Sequence, residues 1–173
     1  DEYGVAAYKA NELDDLLGDT PVQHREVEGL ESVRFMKCFP EGVHYLEGGV
    51  ESGFRKVDQE QDVFDLPDRL LHIRRVGTPT RAFRIIQVPM STSSLNAGDA
   101  FMLDTGTEIY TWYGPDCSPF ERNHCATLAQ NAAGNRFGHC TVTTDVGDDL
   151  DAFWDLLEGG REDVKPAEDV TDE

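Results

Sequence analysis

The first strong pattern along the chain is helical. In residues 2–17, small and apolar side chains recur at the spacing of one face of an α-helix: Ala6, Ala10, Leu13 and Leu17. Gly18 follows and is predicted to end the helix. The opposite face carries an aromatic ring beside acidic groups, from Tyr8, Glu12 and Asp15. Because an aromatic ring on a polar face has no packing reason to be there, this face is a candidate contact surface.

Shorter patterns complete the first part of the chain. Residues 22–27 are typical of an extended segment, residues 31–39 of a short helix and residues 43–46 of a strand. The glycine-rich run 48–53 indicates a turn. Residues 56–67 are acidic and poor in pattern, so they are predicted to link two units.

The second part predicts a sheet and two further helices. Apolar alternation and turn residues indicate strands at 70–76, 82–88, 101–104, 108–113 and 140–145. A long helix is predicted over 119–135 and a short aromatic helix over 149–157. The order of long helix, strand and short aromatic helix also suits the first part of the chain. Two copies of one α+β unit are therefore predicted, the first lacking its opening strands.

Charge narrows the classes of partner. The formal net charge is −19, which disfavours nucleic acid because affinity for phosphates depends on Lys and Arg. Hard divalent cations that prefer oxygen ligands are better candidates. No run approaches the roughly 18 apolar residues of a membrane helix. The four cysteines show no metal-site spacing and are expected to be reduced thiols of a cytosolic protein: Cys38, Cys117, Cys125 and Cys140.

Four segments resemble the gelsolin, severin, fragmin and villin family. Residues 22–29, VQHREVEG, are similar to the family's VQHREVQG segment, and residues 48–54, GGVESGF, to the segment that closes its first domain. Residues 96–104, NAGDAFMLD, and 109–114, IYTWYG, resemble the hairpin of its second domain. The resemblance covers nearly the whole chain.

The resemblance implies the fold and the domain organisation. The fold class is α+β, with gelsolin-like domains in which a mixed β-sheet lies between one long and one short helix. Residues 1–55 would be the C-terminal part of a first domain without its opening strands, 56–67 a linker, and 68–173 a complete second domain with an acidic calcium-binding tail. A partner chain or a dimer is expected to complete the first domain, because missing strands leave apolar surface and unpaired edges.

The resemblance also implies calcium as the cofactor of the second domain. Its ligands would be the carbonyl of Gly98 and the side chains of Asp99, Glu121 and Asp169. On the residues alone, Glu121 has an alternative role, as a carboxylate that stabilises the N-terminus of the long helix. Both interpretations stay open at the sequence level.

Two further calcium sites are implied in the first domain. Glu2 and the carbonyl of Val50 match part of one site, whose remaining ligands would lie before residue 1. A site shared with actin would use the Asp14 carboxylate and the carbonyls of Asp19 and Pro21.

Actin, as monomer and filament, is the partner that the resemblance implies. The first long helix, with Tyr8, Glu12, Asp14 and Asp15, would insert between two actin subdomains. Arg74 and Arg75 would bind the filament side. Phosphoinositide binding is also known in the family, but residues 40–47, which should supply lysines, contain none.

These inferences give one function and one alternative. The chain is expected to be a calcium-dependent actin-binding fragment of a protein that severs filaments and caps barbed ends, in the cytoplasm and on the cytoskeleton. The alternative is a gelsolin-like calcium-binding or structural module without severing activity. An enzyme is not expected, because His24, Asp104 and Cys117 stand in no nucleophile elbow, phosphate loop or metalloprotease motif.

Overall fold

The computed structural model describes residues 2–39, 42–45, 68–76, 82–136 and 139–167. Within these ranges the α-helices are α1 (Glu2–Leu16), α2 (Val33–Met36), α3 (Pro119–Gly134) and α4 (Asp151–Trp154). The strands are β1 (Val43–Tyr45), β2 (Arg69–Val76), β3 (Ala82–Val88), β4 (Ala100–Asp104), β5 (Glu108–Tyr113) and β6 (Thr141–Thr143). In the described part of the chain, no helix is long and apolar enough to cross a membrane.

The strands form one six-stranded mixed sheet in the order β1-β3-β2-β4-β5-β6. The central pairs β2/β3, β2/β4 and β4/β5 are antiparallel, and the two outer strands pair in parallel, β1 with β3 and β5 with β6. Both outer strands are short, which limits the unpaired edge that each presents.

Two apolar layers cover the two faces of the sheet, because successive residues of a strand point to opposite sides. Leu70 belongs to the layer that contains Phe153 and Trp154 of α4. Leu71 belongs to the layer that contains Cys125 and Ala129 of α3. The predicted α+β fold, a mixed sheet between one long and one short helix, is confirmed.

Local sequence explains how α3 begins. Ser118 is the N-cap, and its side chain and that of Glu121 form a reciprocal capping box, with Pro119 in the first turn. Helix α1 ends where Gly18 takes a φ of +73°, a conformation that favours glycine. The predicted ends of both long helices are therefore correct to within a residue or so.

Some predicted elements are shorter in the structure. Strand β6 spans Thr141–Thr143 instead of 140–145, because Asp145 takes a φ of +57° and leaves the extended region. The short helix of 149–157 contracts to α4, although its predicted apolar side is buried through Phe153, Trp154 and Leu157. Residues 22–27 form no regular strand.

The apolar stripe of α1 does not pack into either layer of the sheet. Leu13 is 54% exposed and Leu17 is 51% exposed. The stripe instead lines a cavity of about 660 Å³ together with residues 21 and 23–26 of the following segment.

The predicted domain boundaries stay a prediction, because residues 46–67 lie outside the described ranges. Strand β1 falls within the range assigned to the first domain. It is nevertheless hydrogen-bonded to β3 of the second range, so the sheet includes residues from both.

Candidate functional site

The Gly98–Asp99 pair enters β4 in a tightly held loop. The Gly114 N–H donates to the carbonyl of Asp99 at 3.0 Å, and the Asp116 N–H donates to the carbonyl of Ala97 at 2.8 Å. A Cβ on Gly114 would lie 2.2 Å from the Ala97 oxygen, so only glycine allows this approach. The loop therefore has a fixed position against the end of β5.

The Asp99 carboxylate is half-buried and charged. His72 Nε2 lies 2.7 Å from Asp99 Oδ2, and Asn96 Nδ2 donates to the same oxygen at 2.9 Å. Burial raises the pKa of Asp99, but the hydrogen bonds from His72 and Asn96 outweigh it, so that the pKa lies below the ordinary value. The carboxylate is thus held as an anion at neutral pH.

Glu121 is buried at the start of α3, and both of its oxygens accept hydrogen bonds. Ser118 Oγ donates to Oε2 at 2.6 Å, and the backbone N–H of Arg75 donates to Oε1 at 2.8 Å. The alternative role for this residue, stabilising the helix N-terminus, is therefore present in the structure. A calcium-ligating role for the same carboxylate stays a prediction.

The two carboxylates act on one thiol. Burial raises the pKa of Cys117 to about 12, and the negative charges of Glu121 and Asp99 both add to that increase. The charges of Asp99 and Glu121 therefore both disfavour ionisation of the Cys117 thiol. Across the residues that the structure describes, no three or more His, Cys, Asp or Glu side chains are grouped so as to hold a metal ion.

The tail of the chain runs back to this loop. The Ala97 N–H donates to the carbonyl of Lys165 at 2.9 Å, and the Lys165 N–H donates to the carbonyl of Leu95 at 3.0 Å. A Cβ on Gly98 would lie 3.2 Å from the Cβ of Ala167. The tail is thus beside Gly98 where its description ends, and Asp169 lies outside the described residues.

Sequence reasoning missed three partners of these carboxylates. Ser118 could have been found, because serine three residues before glutamate is a capping-box signal. His72 and Asn96 gave no such signal, since the register of β2 against β4 decides what His72 meets.

A second candidate site lies at the end of α1. Asp14 Oδ2 accepts a hydrogen bond from Gln23 Nε2 at 2.8 Å. Oδ1 of the same carboxylate is buried and has no hydrogen-bond partner among the described residues. Asp19 takes a φ of +56°, and its N–H donates to the Asp14 carbonyl at 3.1 Å. Asp14 and Pro21 line the same cavity, so the structure brings this predicted set together in part.

Two predicted ligand groups of the other first-domain site lie outside the part of the chain that the structure describes. Glu2 begins α1, but its side chain lies outside what the structure describes, as does the whole of Val50. Their calcium role stays a prediction.

The predicted contact face of α1 is open to solvent. The Tyr8 side chain is 66% exposed. Glu12 is exposed and accepts a hydrogen bond from Lys9 at 2.7 Å, and Asp15 is exposed as well. The face therefore presents one ring within a rim of carboxylates.

The predicted arginines of β2 point to opposite faces of the sheet. The Arg75 guanidinium lies 5.0 Å from the centre of the exposed Phe120 ring on α3. Arg74 lies on the other face, directly opposite Arg84 of β3. Both arginines are half-buried, and the sheet does not bring them into a single patch.

The fold is an α+β module. Its candidate sites consist of carboxylates that are fixed by hydrogen bonds, namely Asp99, Glu121 and Asp14. The Gelsolin repeat family model matches residues 84–154. "Actin depolymerising venom protein gelsolin 1" of Platymeris rhadamanthus is 47% identical over 76% of this chain and 33% of its own length. "Gelsolin, cytoplasmic" of Homarus americanus is 47% identical over 70% of this chain and 15% of its own length. "Severin" of Echinococcus granulosus is 41% identical over 91% of this chain and 43% of its own length.

The chain belongs to the gelsolin and severin family. It spans less than half the length of these curated relatives. The relatives bear the names of gelsolins and severin and not of enzymes, in agreement with the prediction that this protein is not an enzyme. A solved structure described as the Thorarchaeota 2DGel3/rabbit actin complex is 19% identical over 88% of this chain and 75% of its own length, with a TM-score of 0.44.

Proposed function

We propose that this chain is a calcium-dependent actin-binding part of a gelsolin-family protein of the cytoplasm. One observation carries the proposal. Helix α1 combines the exposed ring of Tyr8 with a buried carboxylate oxygen of Asp14 that has no partner among the described residues. A buried polar atom without a partner is costly, so it points to a ligand that would complete it.

The donor chemistry at both sites suits calcium. Calcium takes roughly 6 to 8 oxygen ligands and, when bound, would supply the positive charge that compensates clustered carboxylates. At the site of Gly98, Asp99 and Glu121, the Asp99 carboxylate is kept anionic. Its two described partners, His72 and Asn96, both contact Oδ2. Glu121 and the Gly98 carbonyl would contribute further oxygens, and Asp169 would follow from the tail that already reaches Gly98.

The Asp14 site would take its remaining oxygens from backbone. The left-handed conformation of Asp19 turns the chain after α1 back toward Asp14. The carbonyls of Asp19 and Pro21 would then join the free Asp14 oxygen as ligands. In the family this site is shared with actin, so ligand binding here would couple to actin binding by α1.

Actin is the partner that the relatives' names favour, since one is described as actin depolymerising. The exposed face of α1 would contact actin through Tyr8, Glu12 and Asp15. Arg74 and Arg75 would meet the filament side, with Arg75 steadied by its contact with Phe120. Severing and barbed-end capping would follow where side binding places α1 between subunits. Phosphoinositide binding stays a prediction. So does completion of the predicted first domain, residues 1–55, by a partner chain.

Calcium titration by calorimetry tests the metal half of the proposal. The Glu121→Gln variant should bind calcium at least about tenfold more weakly at the site of Gly98 and Asp99, because a charged oxygen ligand is lost. Glutamine also serves in a capping box, so the helix should keep its start. Asp155→Asn, an exposed carboxylate elsewhere, is the matched control. Equal affinity in the wild type and Glu121→Gln would remove Glu121 from the site.

Truncation of the exposed ring tests the actin half. Tyr8→Ala should weaken binding to actin monomers about tenfold, as expected for an aromatic contact anchor. Leu16→Ala is the control, since Leu16 is 81% exposed on the same helix but roughly 80° around its axis. If both variants bind actin like the wild type, the Tyr8 face is not the contact surface.

A further inference from the structure

The edge of the sheet at β3 is covered by a segment from the first range of the chain. Strand β1 pairs in parallel with the middle of β3, with Val43 opposite Arg84 and Tyr45 opposite Ile86. Helix α2 and the turn before it precede this strand. We call residues 29–39 and 42–45 the edge cover.

One buried carboxylate holds the edge cover to the sheet. The Glu31 side chain is 5% exposed. It accepts hydrogen bonds from Tyr45 Oη at 2.6 Å and from the Gly29 N–H at 2.9 Å, and it forms an ion pair with the Arg84 guanidinium. The same guanidinium lies 5.2 Å from the centre of the Tyr45 ring. Turn, β1 and β3 thus meet at Glu31.

Apolar packing is the smaller part of this contact. Among the described residues, neither apolar layer of the sheet includes a residue of the edge cover. Within the edge cover, Met36 is buried and Phe35 and Val43 are half-buried, whereas Leu30 and Phe39 are exposed. The contact with β3 therefore depends mainly on polar groups, which are weakened together when one buried charge is left unpaired.

Arg84, which the edge cover contacts, lies beside a second positively charged side chain. Arg84 stands directly opposite Arg74 in the β2/β3 pairing, so both side chains leave the same face of the sheet. Glu31 compensates the charge of Arg84, whereas the charge of Arg74 acts on Asp99. Opening of the edge cover would leave two guanidinium groups side by side and the edge of β3 without β1.

We propose that the edge cover is a releasable strap, latched onto β3 by Glu31, Arg84 and Tyr45, which opens while the rest of the sheet stays folded. The strap lies between helix α1 and the sheet, whose strand β2 contains Arg74. Its opening would expose a strand edge and an arginine pair to an acidic partner segment. The latch does not depend on actin or calcium, so it is tested on the chain alone.

Hydrogen exchange of the 173-residue chain, followed by mass spectrometry, measures the opening. Glu31→Gln should raise amide exchange in residues 42–45 and 82–88 about tenfold or more, because the charge that pairs with Arg84 is gone. Exchange in β4 and β5 should stay unchanged. Glu28→Gln, an exposed carboxylate of the same turn region, is the control and should leave all of these rates unchanged.

Two results would overturn the proposal. Unchanged exchange at β1 and β3 in Glu31→Gln would mean that the carboxylate does not hold the strap. An equal increase in β4 and β5 would mean that the strap opens only with the whole fold.

A second pair of variants checks the latch without the carboxylate. Tyr45→Phe removes one hydroxyl and should give a smaller increase in the same peptides. Arg84→Met combined with Glu31→Gln should raise exchange by less than the product of the two single effects, because both changes break one interaction. Increases that multiply would show that Glu31 and Arg84 act independently, which contradicts the latch.

Discussion

The buried charge of Asp104 is matched by a buried arginine from another part of the chain. Asp104 accepts hydrogen bonds of 2.7 Å from both terminal nitrogens of Arg136, and the Gly106 N–H donates to it at 2.9 Å. Arg136→Met should therefore reduce the free energy of unfolding by about 3–5 kcal/mol, since it leaves buried Asp104 with only the Gly106 N–H and the Arg69 guanidinium, 3.9 Å away, as partners. Urea denaturation measures this change.

An exposed ion pair supplies the control for that change. Arg161 pairs with Asp151 at 2.7 Å, but the two side chains are 44% and 83% exposed. Arg161→Met should change the free energy of unfolding by only about 0–1 kcal/mol. Similar losses in the two variants would show that the buried pair has no special weight.

The same carboxylate gives stability a defined pH dependence. Burial raises the pKa of Asp104, but the hydrogen bonds from Arg136 and Gly106 outweigh it and place the pKa below the ordinary value of 3.8. The unfolded chain therefore takes up this proton first as pH falls, and stability is lost through that range. The stability difference between the wild type and Asp104→Asn should be full at pH 7 and should narrow below about pH 4. A difference that stays constant down to pH 3 would contradict this assignment.

The element that positions Gly98 and Asp99 is the loop packed on Gly114. A Cβ at Gly114 would lie 2.2 Å from the oxygen and 2.7 Å from the Cα of Ala97. Gly114→Ala should therefore displace the loop, destabilise the fold and weaken calcium binding in a titration. Gly134→Ala, with no heavy atom within 4 Å of the new Cβ, should be neutral or stabilise α3 by up to about 1 kcal/mol. Unchanged calcium affinity in Gly114→Ala would show that the position of this loop does not affect metal binding.

Local patterns predict the elements that local physics determines. The bounds of β3 and β5 follow from apolar runs flanked by turn residues, and α3 begins at a capping box visible in the sequence. The pairing of β1 with β3 was not predicted, because a three-residue strand carries no signal for its partner. Register and edge contacts arise only when distant segments meet.

In the candidate site too, the residue types follow from the sequence, whereas their contacts depend on how distant segments pack. The family resemblance implies Gly98, Asp99 and Glu121 as calcium ligands, and this assignment stays a prediction. The structure adds that Asp99 is held by His72 and that Glu121 binds the backbone of β2. Those contacts depend on how β2 lies between β3 and β4, which composition and spacing do not encode.

At the scale of the whole molecule, the net charge of −19 opposes compaction. A cation that binds only the folded chain stabilises it, by about 2.7 kcal/mol at 100 times its dissociation constant. Calcium should therefore raise the melting temperature, and magnesium should raise it less because it gives up water reluctantly. Equal melting temperatures in calcium and in a chelator would exclude a calcium site of useful affinity.

The affinity of the chain for actin monomers, with saturating calcium and with a calcium chelator, tests the central claim most directly. The wild type should bind actin at least about tenfold more tightly with calcium, a coupling of roughly 1.4 kcal/mol. Asp14→Asn should lose most of that difference, whereas Glu28→Gln should keep it. Equal actin affinity with and without calcium in the wild type, or no binding in either condition, would contradict calcium-dependent actin binding by this chain.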